Sequence, residues 1–302
     1  MDRFDNEFLK GAYDLHLHIG PDTRPRKVDD IEMAERAVRA GMRGFGMKSH
    51  VCSTAERAAL IRKQYPGLNA VGVIALNYAV GGINPVAVET MAKEGGRLVY
   101  FPTCDALQDV ERLIKMAPEM IETQIKLREA GILSGGLTVF DADGALSRET
   151  LFVLEVIRDN DLTLCTGHIA PEETFALVTK AHEMGVRRMI VTHVDWPGTF
   201  FDIPAQQRLV ELGCMLEHAY TSPCIPYPEA FAQIKATGPA HNILVTDLGQ
   251  ISLPEGKGMP VTGPMPYPDE GLKIFARMAF ENGISYADVR RMVTECPAAM
   301  VE

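Results

Sequence analysis

The chain has 302 residues, 46% of them hydrophobic and 23% charged, enough for one large domain or two ordinary ones with a sizeable core. Its formal net charge of −10 and its lack of any Lys/Arg run argue against nucleic acid or an anionic membrane surface as partner, which leaves small molecules. No window approaches the ~18 continuous apolar residues of a membrane span, the opening MDRFDNEFLK has no apolar signal core, and the cysteines show no CxxC spacing, so a cytoplasmic protein without disulfides is expected.

Short apolar runs alternate with amphipathic segments throughout, without a linker or low-complexity break, so residues 1–302 read as one domain. AYDLHLHI (12–19) predicts a strand and DDIEMAERAVRAG a helix stopped at Gly41. GFGMKSH (44–50) leads into a helix from Ser53, NAVGVIAL (69–76) into one after Pro85, and RLVYFPT (97–103) into a longer helical region ending near Gly131. Past the turn VFDADG come helix SRETLFVLEVIRDN, strand LTLCTGH (162–168), a helix from Pro171 to Gly185, and strand RMIVTHV (188–194). CMLEHAY (214–220), helix PEAFAQIKATG, strand NILVTDL (242–248) and two C-terminal helices complete the series. Eight apolar strands alternating with helices suit a single (β/α)₈ TIM-like barrel of the α/β class, with an open doubly wound sheet as the rival.

A barrel carries its chemistry at the C-terminal ends of its strands. There the sequence places His16 and His18, Lys48 and His50, His168, His193, Glu217 and His218, and Asp247. Residues i and i+2 of a strand share a face, so His16 and His18 can reach one cation, and neutral imidazoles with a carboxylate suit zinc and its first-row neighbours. Any one of these histidines alone would more often be a hydrogen-bonded structural residue. The set His16, His18, His168, His193 and Asp247 is another matter, because burying so many titratable groups without a cation is costly.

This pattern resembles the amidohydrolase superfamily of metal-dependent hydrolases, whose distorted (β/α)₈ barrel ends strand 1 in HxH, strands 5 and 6 in single histidines and strand 8 in aspartate. DLHLH, CTGH, VTHV and VTDL fill those positions in order, and RMVTECPAAM is similar to the family's closing helix. The runs HIGPD, MKSH, VFDADG, TGHIAPEE and VTHVDWP resemble a little-characterised branch without an assigned substrate. The resemblance implies a divalent metal, zinc first with Mn, Fe or Co as alternatives, one or two ions per chain. Two departures stand out. RLVYFPTCD lacks the lysine or glutamate that binuclear members carry after strand 4, and little or no β-sandwich surrounds the barrel. Lys48 is the nearest substitute: carbamylated it would bridge two metals, and as an amine it could bind an oxyanion or transfer a proton.

The expected activity is hydrolysis of an amide, cyclic amide or lactone-type bond by a metal-activated water, with Asp247 as proton carrier and Lys48 as the second catalytic candidate. His50, Arg24, His218 and Tyr220 are the candidates for substrate contacts. A single-metal decarboxylase, a phosphoesterase and a non-catalytic metal-binding barrel are the rival readings, and a homo-oligomer is allowed.

Overall fold

The structure is a computed structural model that describes residues 4–118, 121–133, 135–221, 223–253 and 262–302. Strands β1 (Tyr13–His18), β2 (Gly44–Lys48) and β3 (Asn69–Val71) form one parallel sheet. β4 (Val73–Ala75), β5 (Leu98–Tyr100), β6 (Thr163–Cys165), β7 (Arg188–Val191), β8 (Cys214–Ala219) and β9 (Asn242–Val245) form a second, paired in sequence order. The run anticipated over 69–76 is thus two short strands split at Gly72, β3 pairing with β2 and β4 with β5. A Cβ at Gly72 would lie 2.6 Å from the Ala55 Cα, so only glycine lets helix and strand approach this closely. At the far edges, Asp247 N donates to His16 O and His18 N to Leu248 O, each at 2.7 Å, tying the chain after β9 back to β1.

Helices follow the strands: α1 (Asp30–Arg39), α2 (Ala55–Gln64), α3 (Pro85–Lys93), α4 (Leu107–Met116), α5 (Glu122–Glu129), α6 (Arg148–Asp159) and α7 (Pro171–Glu183). After β7 come α8 (Ile203–Glu211), α9 (Tyr227–Thr237), α10 (Pro268–Glu281), α11 (Tyr286–Val293) and α12 (Glu295–Val301). Local chemistry starts several of them. Asp29 and Glu32 close a capping box on α1, Asn84 caps α3 ahead of Pro85, and Ser147 and Ser285 cap α6 and α11. Three differences from the sequence reading stand out. α8 was not anticipated, and the last predicted helix is broken at Thr294 into α11 and α12. A two-stranded antiparallel pair, β10 (Ser252–Leu253) with β11 (Gly263–Pro264), was not anticipated either.

The apolar residues divide by strand face. One cluster joins Tyr13, Leu15, Val73, Tyr100, Ile190 and Val245 on the inner faces of the strands. Two others pack the outer faces against helices, one around Leu17, Phe45 and Met47, the other around Ile74, Val99 and Leu164. The result is a mixed α/β fold with parallel strands inside and helices outside. No helix of the described residues is long and apolar enough to cross a membrane, and all six cysteines are free.

Candidate metal centre

Strict alternation along β1 would put His16 and His18 on the face opposite Tyr13 and Leu15. The register of β1 against β2 shifts between Asp14 and Leu17, and this irregularity turns the strand. Tyr13 and Leu15 lie in the inner cluster, Leu17 in an outer one, and His16 stands 5.3 Å from the inner Tyr100 ring. A Cβ at Gly46 of β2 would lie 2.2 Å from Leu15 O, so that glycine admits the distorted strand.

Five histidines close a ring. Centroid separations are 5.8 Å from His16 to His18, 4.8 Å to His50, 6.4 Å to His168, 5.5 Å to His193 and 4.7 Å back to His16. The Asp247 carboxylate faces three of them, 3.4 Å from His16 Nε2, 3.1 Å from His18 Nε2 and 3.9 Å from His193 Nε2. Thr221 Oγ1 donates to its Oδ2 at 3.1 Å. Lys48 Nζ lies 2.6 Å from His16 Nε2 and 4.6 Å above the Tyr100 ring. Asp247 is the open side of the set, its side chain 18% exposed against 0% for His16 and 3% for His18.

The backbone contributes to this convergence. His193 and Asp247 sit at φ 51° and 52°, two of the three non-glycine residues with positive φ among those described. Left-handed backbone costs an L-residue about 1 kcal/mol or more and collects at functional sites. Here it aims each side chain off the end of its strand.

Carboxylates outside the ring orient the imidazoles. Glu217, fully buried on β8, lies 2.9 Å from His16 Nδ1 and 3.3 Å from His193 Nδ1, and accepts from His193 N. Asp109 of α4 takes His168 Nδ1 at 2.9 Å and is itself held by Arg112 Nε at 2.6 Å. Thr103 Oγ1 bonds His50 Nδ1 at 2.8 Å. A proton on Nδ1 leaves Nε2 as the lone-pair atom, the arrangement imposed on metal-binding histidines by carboxylates that hold the far ring nitrogen. Among the described residues, His168 Nε2 is buried with no hydrogen-bond partner.

Electrostatics favour a cation. Burial holds His50, His168 and His193 neutral and pushes His18 down to about 3, with the nearby Arg26 charge adding to the effect. Burial raises the Asp247 carboxyl, but its close approach to the surrounding imidazoles, including the hydrogen bond with His18, more than offsets that and keeps it well below the ordinary carboxylate range. Desolvation lowers the Lys48 amine. Neutral imidazoles, an anionic carboxylate and an unpartnered buried nitrogen fit a divalent cation. Atoms close enough to hold one occur in His16, His18 and Asp247, and again in His16, His193 and Glu217.

The structure therefore brings together His16, His18, Lys48, His50, His168, His193 and Asp247. Two of the anticipated substrate contacts lie elsewhere. His218 points the other way from Glu217, its ring nitrogens 3.0 Å from Asp195 Oδ2 and 3.0 Å from Asn242 Oδ1, fully buried. Tyr220 packs in the outer core against Phe275, and its carbonyl accepts from Tyr227 OH. Arg24 is half-buried in the loop after β1, within electrostatic reach of Cys104. Its neighbour Arg26 is the arginine on the ring, 3.5 Å from His18 Nδ1 and paired with Asp22 at 2.8 Å. Sequence patterns gave no role to Asp109, Thr103 or Trp196, whose ring lies 4.5 Å from that of His168. Each sits on a helix or loop whose approach depends on the tertiary fold.

The chain belongs to the family of unknown function DUF6282, whose family model matches residues 11–217. No protein of curated function matches the sequence. Among solved structures it is similar to an amidohydrolase from Pseudomonas aeruginosa (TM-score 0.64, 11% identity, covering 98% of this chain and 97% of that one). It is also similar to a β-aspartyl dipeptidase from Fervidobacterium islandicum AW-1 (TM-score 0.56, 14% identity, 97% and 73%). A third is YJJV, a TatD homologue from Escherichia coli K12 (TM-score 0.53, 16% identity, 97% and 98%). At these identities the likeness establishes a shared fold.

Proposed function

We propose that the protein is a metal-dependent hydrolase that opens an amide, cyclic amide or lactone-type C–N or C–O bond of a small molecule. The observation that carries this reading is the ring of five imidazoles with the Asp247 carboxylate facing three of them and, among the described residues, His168 Nε2 buried and unpartnered. Solved structures of similar fold, an amidohydrolase and a dipeptidase, support it. The reading takes residues 1–302 as one closed (β/α)₈ barrel, supported by the two hydrogen bonds that tie the chain after β9 to β1. It places the protein in the cytoplasm.

His16, His18, His168, His193 and Asp247 would hold the cation, zinc first. When bound, a divalent cation lowers the pKa of water toward about 7 and polarises a carbonyl. The remaining work falls to the chain. Asp247, anionic and on the open side, takes up the proton released as water adds to the carbonyl and returns it to the leaving nitrogen or oxygen. Thr221 fixes its orientation. Trp196 and the ring of imidazoles line the side of the mouth next to His168 and His193.

Lys48 decides the metal count. Its Nζ occupies the His16 Nε2 lone pair, so a cation on that nitrogen requires the amine to move or to change its charge. Burial shifts the Lys48 amine toward its neutral form, which can add to CO₂, forming an N–C bond with loss of one proton, and the resulting carbamate is an anionic ligand. Metal analysis of the protein and its Lys48→Ala variant tests this: two ions per chain falling to one supports the carbamate, and one in both removes the binuclear form. Product analysis tests the reaction itself. Release of a carboxylate with an amine or alcohol is expected, whereas CO₂ or inorganic phosphate as product would replace the hydrolase reading by a decarboxylase or phosphoesterase.

A further inference from the structure

At the opposite end of the strands from the histidine ring, the residues that lead into β2, β3 and β5 surround a cavity of about 530 Å³. Its polar lining is Arg43, Arg62, Asn69, Arg97 and Glu302, three guanidiniums against one carboxylate. Glu302 is already engaged, accepting from Arg43 Nε at 3.0 Å and from Tyr13 OH at 2.7 Å. Arg62 is fixed by backbone carbonyls instead, donating to Ala70 O at 2.6 Å and Gly95 O at 3.4 Å. Among the described residues neither Arg62 nor Arg97 has an ion-pair partner. Burial lowers the Arg62 pKa and the charge of Arg97 lowers it further, a sign that the two guanidiniums repel one another.

In a chain of net charge −10, two arginines without an ion-pair partner among the described residues line one cavity whose carboxylate side chain, Glu302, is taken by Arg43 and Tyr13. Such a pair is held apart from its counter-charge at a Coulombic cost that an anion would remove. Guanidinium forks match the oxygen spacing of phosphate and carboxylate, and Arg62, anchored by two carbonyls, is ordered before any ligand arrives. The volume falls within the ~300–1,000 Å³ usual for small-molecule sites. We propose that this basal cavity is a second ligand site, separate from the histidine ring, that takes a small multiply charged anion, either a phosphate ester or a dicarboxylate, through Arg62 and Arg97.

Isothermal titration of the full-length, metal-loaded protein with sn-glycerol 3-phosphate and with malonate, against acetate as a monoanion, reads the site. Binding of one anion per chain that weakens with salt is expected, and preference for the phosphate or for malonate identifies the ligand type. Arg97 is exposed and its side chain supports no other group among the described residues, so Arg97→Gln should keep the fold and weaken binding by about tenfold or more, the loss of one charge-assisted contact. Arg62→Gln should do the same, with its thermal midpoint measured alongside because two carbonyls lose a donor. His168→Ala should leave the binding intact. Absence of binding by either dianion, equal binding of acetate, or binding that survives Arg97→Gln but is lost in His168→Ala would overturn the proposal.

Discussion

Glu217 shows how much of the site rests on side chains that touch no solvent. One of its oxygens bonds His16 Nδ1 and also takes the His193 backbone amide, so a single carboxylate orients one ring histidine by its side chain and holds another by its main chain. Outer carboxylates of this kind are worth about 10–100-fold in metal affinity. Glu217→Ala should therefore weaken cation binding by that factor, measured by competition against a chromophoric chelator, and an unchanged affinity would remove the orienting role. Titration offers a second check at the same scale. His18, His50, His168 and His193 all have folded pKa values below their ordinary 6.5, so below that pH the unfolded chain binds protons that the native state refuses. Their contribution is intact above pH 6.5 and is lost as pH falls, for His18 down to about 3. Asp14, raised to about 7 by burial, acts in the opposite sense between 3.8 and 7. Asp105, also raised by burial, acts in the same sense as Asp14, and two acids do not offset four histidines. The urea midpoint of the chelator-treated protein should fall between pH 7 and pH 5, and a midpoint that rises would contradict the buried neutral ring.

Among the elements, β1 is the one on which the site depends most. The two-residue period of a strand correctly places His16 and His18 on a common face, yet it also sets them opposite Tyr13 and Leu15, which the register shift prevents. Nothing in DLHLHIGPD announces that shift, because it arises from pairing with β2, where Gly44 and Gly46 leave space for it. Adding a methyl at Gly46 would place a carbon 2.2 Å from Leu15 O. Gly46→Ala should cost about 2 kcal/mol or more in unfolding free energy and lower metal content as well, and a variant of native stability would show that the close approach is dispensable. The helices were legible where caps and periodicity agree, as in α1 and α6. They were not where the signal is short: IPAQQRLVE follows a Pro/Gly-rich loop, and RMVTECPAAM runs through Pro297, near which the structure divides α11 from α12. Asp109, three residues into α4, becomes a partner of His168 only through the packing of that helix over the strand ends.

For the whole molecule, the convergence of the histidines and Asp247 was readable because they lie at the ends of apolar strands, where any parallel α/β arrangement collects its polar residues. His218 and Tyr220 were misplaced for the same reason: position at a strand end does not say which way a side chain turns. His218 is one residue from Glu217 and so faces the wall, and Tyr220 lies beyond the last residue of β8 and folds back onto the outer core. If Asp247 carries the proton, Asp247→Asn should reduce kcat by about 10²-fold or more once a substrate is in hand, whereas a non-catalytic barrel would lose only metal retention. The claim on which all of this depends is that the histidine ring holds a divalent cation. Its most direct test is metal analysis of the purified protein beside a His16→Ala/His193→Ala variant whose fold is confirmed by circular dichroism. One or two tightly held ions per chain in the first and none in the second are predicted; a native protein that retains no ion after exposure to zinc or manganese, or a double variant that retains the full complement, would contradict the account.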